Sequence, residues 1–131
     1  MLEEKTMFII YYCLYEYNEC SVTGPTIDAQ GHQRWGNGTL FDNMSIAAGH
    51  FALQNRSNKG SGQGWSAAND VLWNCISKNY LVENPPTAHN WAFGCQGQSQ
   101  TSAEPQGIIV SPGQMMQPAR SLCRTTERAL E

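Results

Sequence analysis

The strongest constraint on the fold of this chain is a repeat with a spacing of 20 residues. Trp73 and Cys75 recur as Phe93 and Cys95, and Leu53 lies a further 20 residues before Trp73. In a solenoid, short strands stack on copies of themselves, so similar side chains return at a regular interval. The repeat therefore predicts an all-β fold, a right-handed parallel β-helix with a few rungs of about 20–25 residues each. In it, Leu53, Trp73 and Phe93 are expected to form one apolar series that faces inward.

A second pattern places an asparagine two positions after an apolar residue, at the ends of four expected strands. The four asparagines are Asn43, Asn55, Asn74 and Asn84. Asn tolerates the left-handed bend that ends a strand, and its amide can bond the neighbouring backbone. Stacked rungs are expected to place such residues above one another. The alternative is a β-sandwich, in which strands recur about every 8–12 residues.

Turn-forming residues divide the chain, residues 1–131, into short segments of what we predict to be a single domain. Strands are expected over residues 7–17, 39–46, 50–54, 71–76, 80–82 and 90–94, and loops over 23–31 and 57–64. Residues 96–118 are polar and are predicted to form a mobile loop. Residues 119–131 are predicted to form a short C-terminal helix or a tail, because Gly and Pro are absent from 121–131.

The composition excludes several classes of function. Aromatic residues make up 10% and hydrophobic residues 40% of the chain, which argues against disorder. The net charge is −3 and no basic stripe occurs, so nucleic acid is not a predicted partner. The longest apolar run, residues 7–15, is too short to span a bilayer, so no membrane is predicted either. Five cysteines without a CxxC pair indicate buried thiols more than a zinc ribbon.

The segment richest in chemical groups is GHQRWGNG, residues 31–38. His32 can transfer a proton near neutral pH. Arg34 can pair with a carboxylate in a forked geometry, and Trp35 offers a face on which a sugar ring can stack. The alternative is structural, with a buried Trp, a satisfied His and a surface Arg.

Two further segments contain candidate side chains. Arg56 opens the glycine-rich loop, and Gln63 and Trp65 stand at its end; loops of this kind often bear functional residues. His89 and Trp91 follow a Pro-Pro turn and are expected to line the same groove. The plainer alternatives are a solvated Arg and an exposed turn His. No resident cofactor is predicted, and because the aspartates are isolated in sequence, a Ca²⁺ site is expected only between rungs.

The segments GHQRWGNGTLFDN, LQNRSNKGSGQGW, VLWNC and ENPPTAHNWAFGC together resemble a family of large secreted bacterial and fungal proteins. That family is described as right-handed parallel β-helix or pectate-lyase-like, and the resemblance covers residues 24–95. Two departures stand out: Gln63 occupies the position of the His in the family's GHGW segment, and Gly24-Pro25 is displaced upstream of His32. The resemblance implies a fragment or a short relative, secreted by means of a signal peptide that this chain does not contain.

The resemblance implies a polysaccharide partner and, as one hypothesis, a lyase that cleaves uronate polymers by β-elimination. In that mechanism a cation near the carboxylate acidifies the C5 proton and a base removes it. The catalytic candidates are His32, Arg34 and Arg56, and the substrate-binding candidates are Trp35, Trp65, Gln63, His89 and Trp91. The alternatives are a non-catalytic carbohydrate-binding or structural β-solenoid, and a small β domain with thiol chemistry. Exposed solenoid ends are expected to pack against further rungs or another chain.

Overall fold

The computed structural model describes residues 16–18, 21–22 and 28–119. These residues contain ten strands and no helix. The strands are β1 (Glu16–Asn18), β2 (Ser21–Val22), β3 (Asp28–Gln30), β4 (Leu40–Asp42), β5 (Ser45–Leu53), β6 (Val71–Trp73), β7 (Ile76–Val82), β8 (Trp91–Phe93), β9 (Gln96–Gln100) and β10 (Ile108–Val110). No helix in this part of the chain is long and apolar enough to cross a membrane.

The chain alternates between two sheets whose neighbouring strands are parallel. Sheet 1 has the order β1-β4-β6-β8-β10, and sheet 2 has the order β2-β5-β7-β9, with β3 also paired to β5. Each return to a sheet therefore adds a new strand beside the one laid down before. We call the stretch of chain that adds one strand to each sheet a coil. The predicted all-β fold with stacked parallel strands is confirmed, and this topology is compatible with a parallel β-helix or solenoid.

The repeat of 20 residues is confirmed in one step and wrong in the other. Trp73 pairs with Phe93 in register, and their ring centroids lie 5.5 Å apart. Leu53 belongs to sheet 2, where it pairs with Val82, whereas Asp42 is the partner of Trp73. The step from Asp42 to Trp73 spans 31 positions because an inserted loop, residues 56–65, lengthens that coil. Trp73 and Phe93 are only partly buried, so the inward series predicted from these three residues does not exist.

The interior is built from residues adjacent to those in the predicted series. Phe41, Leu72 and Ala92 form one buried column of sheet 1, and Phe51 and Tyr80 belong to a facing column of sheet 2. The rings of Phe41 and Phe51 meet edge to face with centroids 5.6 Å apart. Successive residues of a strand point to opposite faces, so the buried column is one residue out of phase with Trp73 and Phe93. Each large side chain buried here contributes about 1.5–3 kcal/mol to stability.

The expected stacking of asparagines is confirmed at the corner that follows sheet 1. Asn43 and Asn74 have φ of 54° and 51°, and the next two coils place Gly94 and Ser111 there with φ of 64° and 48°. The Asn43 N–H donates to the Trp73 carbonyl, and the Asn74 N–H donates to the Phe93 carbonyl. We call these four left-handed residues the corner ladder. It turns the chain out of sheet 1 in the same way in each coil.

Other predictions need correction or fall outside the described residues. Residues 96–118, expected to be a loop, contain β9 and β10, and β3 lies within the loop expected over 23–31. Strand β9 is fully exposed and lacks the alternation of apolar residues that marks a strand, so its pairing with β7 was invisible in the sequence. The helix or tail predicted over 119–131 lies outside the described residues, apart from Ala119. The same is true of most of the strand predicted over 7–17.

Candidate functional site

The segment GHQRWG wraps around one backbone carbonyl of the next coil. A Cβ atom on Gly31 or on Gly36 would collide with the carbonyl oxygen of Ser66. Ser66 is fully buried, and its hydroxyl donates to the Gln54 carbonyl at 3.0 Å. Both glycines are therefore needed for close approach of two backbones. This contact explains why the two glycines bracket the four residues between them and fixes the position of that turn.

Arg34 and Trp35 form a strained turn at the surface. Their φ angles are 53° and 63°, in a left-handed region that bulky side chains rarely occupy. The Arg34 N–H donates to the Gln63 carbonyl at 2.9 Å, and the Trp35 N–H donates to the Trp65 carbonyl at 2.5 Å. These two bonds anchor the turn to the following coil. Arg34 and Trp35 are both exposed, the latter by 45%, so strain presents a cation and an aromatic ring to solvent.

Three of the predicted site residues are linked by hydrogen bonds through Gln63. Nε of Arg56 donates to Oε1 of Gln63 at 2.5 Å, and Nε2 of Gln63 lies 3.0 Å from Nε2 of His32. Arginine has only donors, so the amide oxygen must face Arg56 and the amide nitrogen must face His32. His32 then accepts at Nε2, which requires the ring form with no proton on that atom.

The guanidinium at the far end of this chain of contacts is buried. Arg56 and Gln63 are each 7% exposed. Burial lowers the pKa of Arg56 from its usual value, and the nearby carboxylate of Asp28 opposes that shift. The Arg56 backbone N–H also donates to the Gly64 carbonyl at 2.7 Å, which closes the glycine-rich loop. Arg56 therefore holds Gln63 and the loop in place, whereas Arg34 faces solvent.

Two residues that sequence reasoning did not place at the site lie beside it. Asp28 and His50 are register partners on β3 and β5, and Oδ1 of Asp28 lies 3.1 Å from Nδ1 of His50. This Oδ1 atom is buried and makes no well-aligned hydrogen bond, so the structure shows the two side chains close together without a formed bond. No local motif could have revealed the pair, because the two residues are 22 positions apart and only parallel pairing of β3 with β5 brings them together.

The remaining candidates occupy two different places. Trp65 is partly buried and bridges antiparallel to Asn55, directly under the Trp35 turn. His89 is on the turn that precedes β8, and Trp91 is the first residue of that strand, with ring centroids 5.9 Å apart. His89 helps to line an open cavity of about 400 Å³, together with the Pro-Pro turn, Glu104 and neighbouring residues. None of the His32–Gln63–Arg56 residues lines this cavity, so the expectation of a single shared groove is not met there.

A buried carboxyl group lies between the strained turn and β6. Asp70 is 2% exposed, and its Oδ1 accepts the Thr39 N–H at 2.9 Å. Burial raises the pKa of Asp70 to about 7, although the hydrogen bonds from Thr39 and Gly38 act in the opposite direction. The Asp70 N–H in turn donates to Oδ1 of the fully buried Asn90. These contacts tie three successive coils together, which is a structural use of polar groups.

Among residues 28–119 and the two short strands before them, no group of three or more His, Cys, Asp or Glu side chains is arranged to hold a metal ion. Comparison of the chain with protein-family models, with curated proteins and with solved structures finds no match.

Proposed function

We propose that this chain forms part of a right-handed parallel β-helix and binds an acidic polysaccharide through Arg34 and Trp35. The observation that supports this most directly is the strained turn on which both side chains are exposed. Non-glycine residues in the left-handed region cost about 1–3 kcal/mol each. Strain of this size persists where the surrounding structure enforces it, and it concentrates at functional sites.

The β-helix part of the proposal rests on topology. Successive coils alternate between two parallel sheets, and the corner ladder repeats the same backbone bend in consecutive coils. A chain that coils in one direction makes this pattern, whereas a β-sandwich is built mainly from antiparallel strands. The resemblance to secreted β-helix proteins agrees with it and adds a proposed extracellular location.

The acidic polysaccharide follows from the chemistry of the turn. The guanidinium of Arg34 presents paired donors that match a uronate carboxylate. The indole of Trp35, 45% exposed, offers an apolar face to the C–H groups of a pyranose ring. Trp65 lies beneath the turn and is held to Trp35 through the backbone. Adjacent charge and ring are suited to a sugar unit that has both a carboxylate and an apolar face.

The contacts of Gln63 favour binding over catalysis. Its amide nitrogen faces Nε2 of His32, the lone pair that would have to accept the C5 proton in a β-elimination. Arg56, the second cation considered for that reaction, is buried behind the same amide. In this arrangement Gln63 is hydrogen-bonded to both His32, the candidate base, and Arg56, the second candidate cation. The turn with Arg34 and Trp35 faces solvent independently of them.

The proposal is tested by calorimetric titration of the full chain with oligogalacturonate, with oligomannuronate and with a methyl-esterified galacturonate oligomer. We expect binding to at least one of the acidic oligomers and much weaker binding to the neutral ester. Arg34→Ala and Trp35→Gly should each weaken binding about tenfold, which corresponds to about 1.4 kcal/mol. Lys78→Ala is the matched control for charge, since Lys78 is exposed on β7.

Two results would contradict the proposal. One is the absence of binding to every acidic oligomer by a chain whose circular dichroism shows a folded β protein. The other is an equal loss of affinity in Arg34→Ala and Lys78→Ala, which would mean that binding follows overall charge and not the turn.

A lyase is the second candidate, favoured by the convergence of His32 and Arg56 on one amide. It predicts that galacturonate or mannuronate polymers yield unsaturated product, followed by ultraviolet absorbance. Gln63→Ala is then expected to raise the rate because it releases Nε2 of His32, and His32→Ala is expected to abolish it. An active chain whose rate is unchanged by His32→Ala would rule out this mechanism, and an inactive chain that binds would leave the binding proposal standing.

A further inference from the structure

Two cysteines occupy equivalent positions in adjacent coils. Cys75 and Cys95 each follow a residue of the corner ladder, and the residues on either side of them are in register: Trp73 with Phe93, and Ile76 with Gln96. Parallel neighbours are separated by about 4.8 Å. This value lies within the range of about 4.4–6.8 Å between Cα atoms over which disulfides form.

The two thiols share one buried corner of the interior. Cys75 is 1% exposed and Cys95 is 2% exposed, and both are present as free thiols. Sγ of Cys75 lies 3.2 Å from the Phe41 carbonyl oxygen, and Sγ of Cys95 lies 3.7 Å from the Leu72 carbonyl oxygen. Both side chains therefore point toward the inner column of sheet 1, one above the other.

Contact between the two thiols gives them different acidities. A hydrogen bond from Cys75 lowers the pKa of Cys95, whereas burial raises the pKa of Cys75. The thiolate is the reactive form in oxidation and in disulfide exchange. Cys95 is accordingly the better nucleophile of the pair, and Cys75 is placed to attack whatever forms on it.

We propose that Cys75 and Cys95 form a two-thiol redox site that closes a disulfide between adjacent coils when a hydroperoxide reaches it. The Cys95 thiolate attacks a peroxide oxygen, the O–O bond breaks, and Cys95 becomes a sulfenic acid while the leaving oxygen takes up a proton. The Cys75 sulfur then attacks the Cys95 sulfur and the S–O bond breaks. The Cys75 proton leaves with the hydroxyl as water. Two thiols lose two electrons and two protons, and hydrogen peroxide is reduced to two waters.

The stacking of equivalent residues in neighbouring coils limits which cysteine can pair with Cys75. The coil before Cys75 places Met44 at the equivalent position, where its carbonyl accepts the Ile76 N–H at 2.9 Å. Met44 is buried as well, and its thioether cannot form a disulfide. Within residues 28–119, Cys75 and Cys95 therefore have only each other as thiol partners. Cys13, Cys20 and Cys123 lie outside the described residues.

The sequence allows a direct test by peptide mass spectrometry. The folded full chain is treated with hydrogen peroxide, remaining thiols are alkylated in denaturant, and the chain is cut with trypsin. Cleavage after Lys78 separates residues 60–78, with Cys75, from residues 79–120, with Cys95. We expect these two peptides joined, two hydrogen atoms lighter than their sum, and separated again by a reductant. A variant with Cys13, Cys20 and Cys123 changed to Ser should give the same joined peptide.

Variants of the pair distinguish a built site from incidental oxidation. In Cys75→Ser, the joined peptide should disappear and Cys95 should be trapped as a sulfenic acid by dimedone. In Cys95→Ser, dimedone labelling of Cys75 should be much lower, because that thiol is the less acidic. Peroxide treatment of the chain unfolded in guanidinium should give mixed pairings instead of this one, which provides a reference that does not depend on the variants folding.

The proposal is overturned if the folded chain retains both thiols in alkylatable form after peroxide, with unchanged circular dichroism. It is equally overturned if Cys75 or Cys95 is joined mainly to Cys13, Cys20 or Cys123. It does not depend on polysaccharide binding, so either proposal can fail without the other.

Discussion

The chain turns at two corners of each coil, and the two turns are built differently. The corner ladder uses one left-handed residue per coil, at Asn43, Asn74, Gly94 and Ser111, and repeats with little change. The opposite region, residues 31–38 with 54–66, has no such repeat. It contains a strained turn, two glycines packed on a carbonyl and a buried Arg–Gln–His contact. The regular corner secures the stack, and the irregular one holds the candidate functional groups.

The two corners differ because one coil contains extra residues, and these residues form a loop at the irregular corner. The coil between Asp42 and Trp73 is longer than the next, and its additional residues form the loop 56–65. A loop outside the stacked strands can adopt conformations that the ladder cannot repeat. Polar side chains then fill the space between loop and sheet, where they must be hydrogen-bonded.

The largest expected effect is a dependence of stability on pH, because the buried Asp70 lies beside the irregular corner and accepts hydrogen bonds from Thr39 and Gly38. Its pKa is raised to about 7 in the folded chain from an ordinary value of 3.8, so the folded state binds the proton more tightly. Stability from this group is complete below about pH 4 and is lost as the pH rises through 7. The loss is up to about 4 kcal/mol. Denaturant titrations between pH 4 and 8 should show this fall in the native chain and a flatter profile in Asp70→Asn. Equal slopes would contradict it.

The second prediction concerns Asn74 of the corner ladder, whose side chain also makes hydrogen bonds with the backbone of Met116 and Ala119. Its Nδ2 donates to the Met116 and Ala119 carbonyls, and its Oδ1 accepts the Met116 N–H at 2.7 Å. Asn74→Ala should cost about 3 kcal/mol, since it removes these bonds and strains the left-handed backbone. Asn74→Gly removes the same bonds without the strain and should cost about 1 kcal/mol less. Urea unfolding measures both, and equal losses would show that the bend itself is not strained.

The irregular corner has its own steric test at Gly31. Ala at this position brings a Cβ into the Ser66 carbonyl, and we expect a loss of about 2 kcal/mol from overpacking. Gly62→Ala is the matched control, because a Cβ there meets nothing within 4 Å although its φ of 79° is left-handed. The control should lose about 1 kcal/mol through backbone strain alone. If both variants unfold at the same urea concentration, the close approach at Ser66 does not limit the turn.

The smallest expected change in stability is at Trp35. Trp35→Gly relieves the left-handed backbone while removing a ring that is 45% exposed, so stability should stay within about 1 kcal/mol of the native value. Affinity for an acidic oligosaccharide should nevertheless fall about tenfold. This variant separates function from stability at the irregular corner. A large loss of stability would mean that the ring is part of the packing and that strain is not its distinguishing feature.

The sequence predicted the stacking correctly where successive coils have the same length, and incorrectly where one coil is longer. The match of Trp73-x-Cys75 with Phe93-x-Cys95 predicted one step of the stack correctly, because no insertion separates those coils. The same spacing failed at Leu53, where the inserted loop changes the period. A repeat can be read from sequence only while its length stays constant.

At the candidate site, the sequence predicted which residues come together but not what each of them does. His32, Gln63 and Arg56 were chosen from motifs, and they do meet. Their roles were not predictable, because only the contacts show that Arg56 is buried and that Gln63 engages the base. The pairing of Asp28 with His50 was missed, because it depends on parallel pairing of a polar, three-residue strand that the sequence gives little sign of.

By itself, the sequence determined that the chain forms short stacked strands, that Asn residues turn the corner, and that His32, Arg34 and Trp35 belong to one turn. Hydrophobic patterns and backbone preferences involve only neighbouring residues, so they can be inferred from the sequence alone. Only the tertiary structure decided which residues face inward, which coil is long, and which cation faces solvent. Those outcomes depend on register between strands that are 17 to 31 positions apart, and a shift of one residue reverses the face that each side chain occupies.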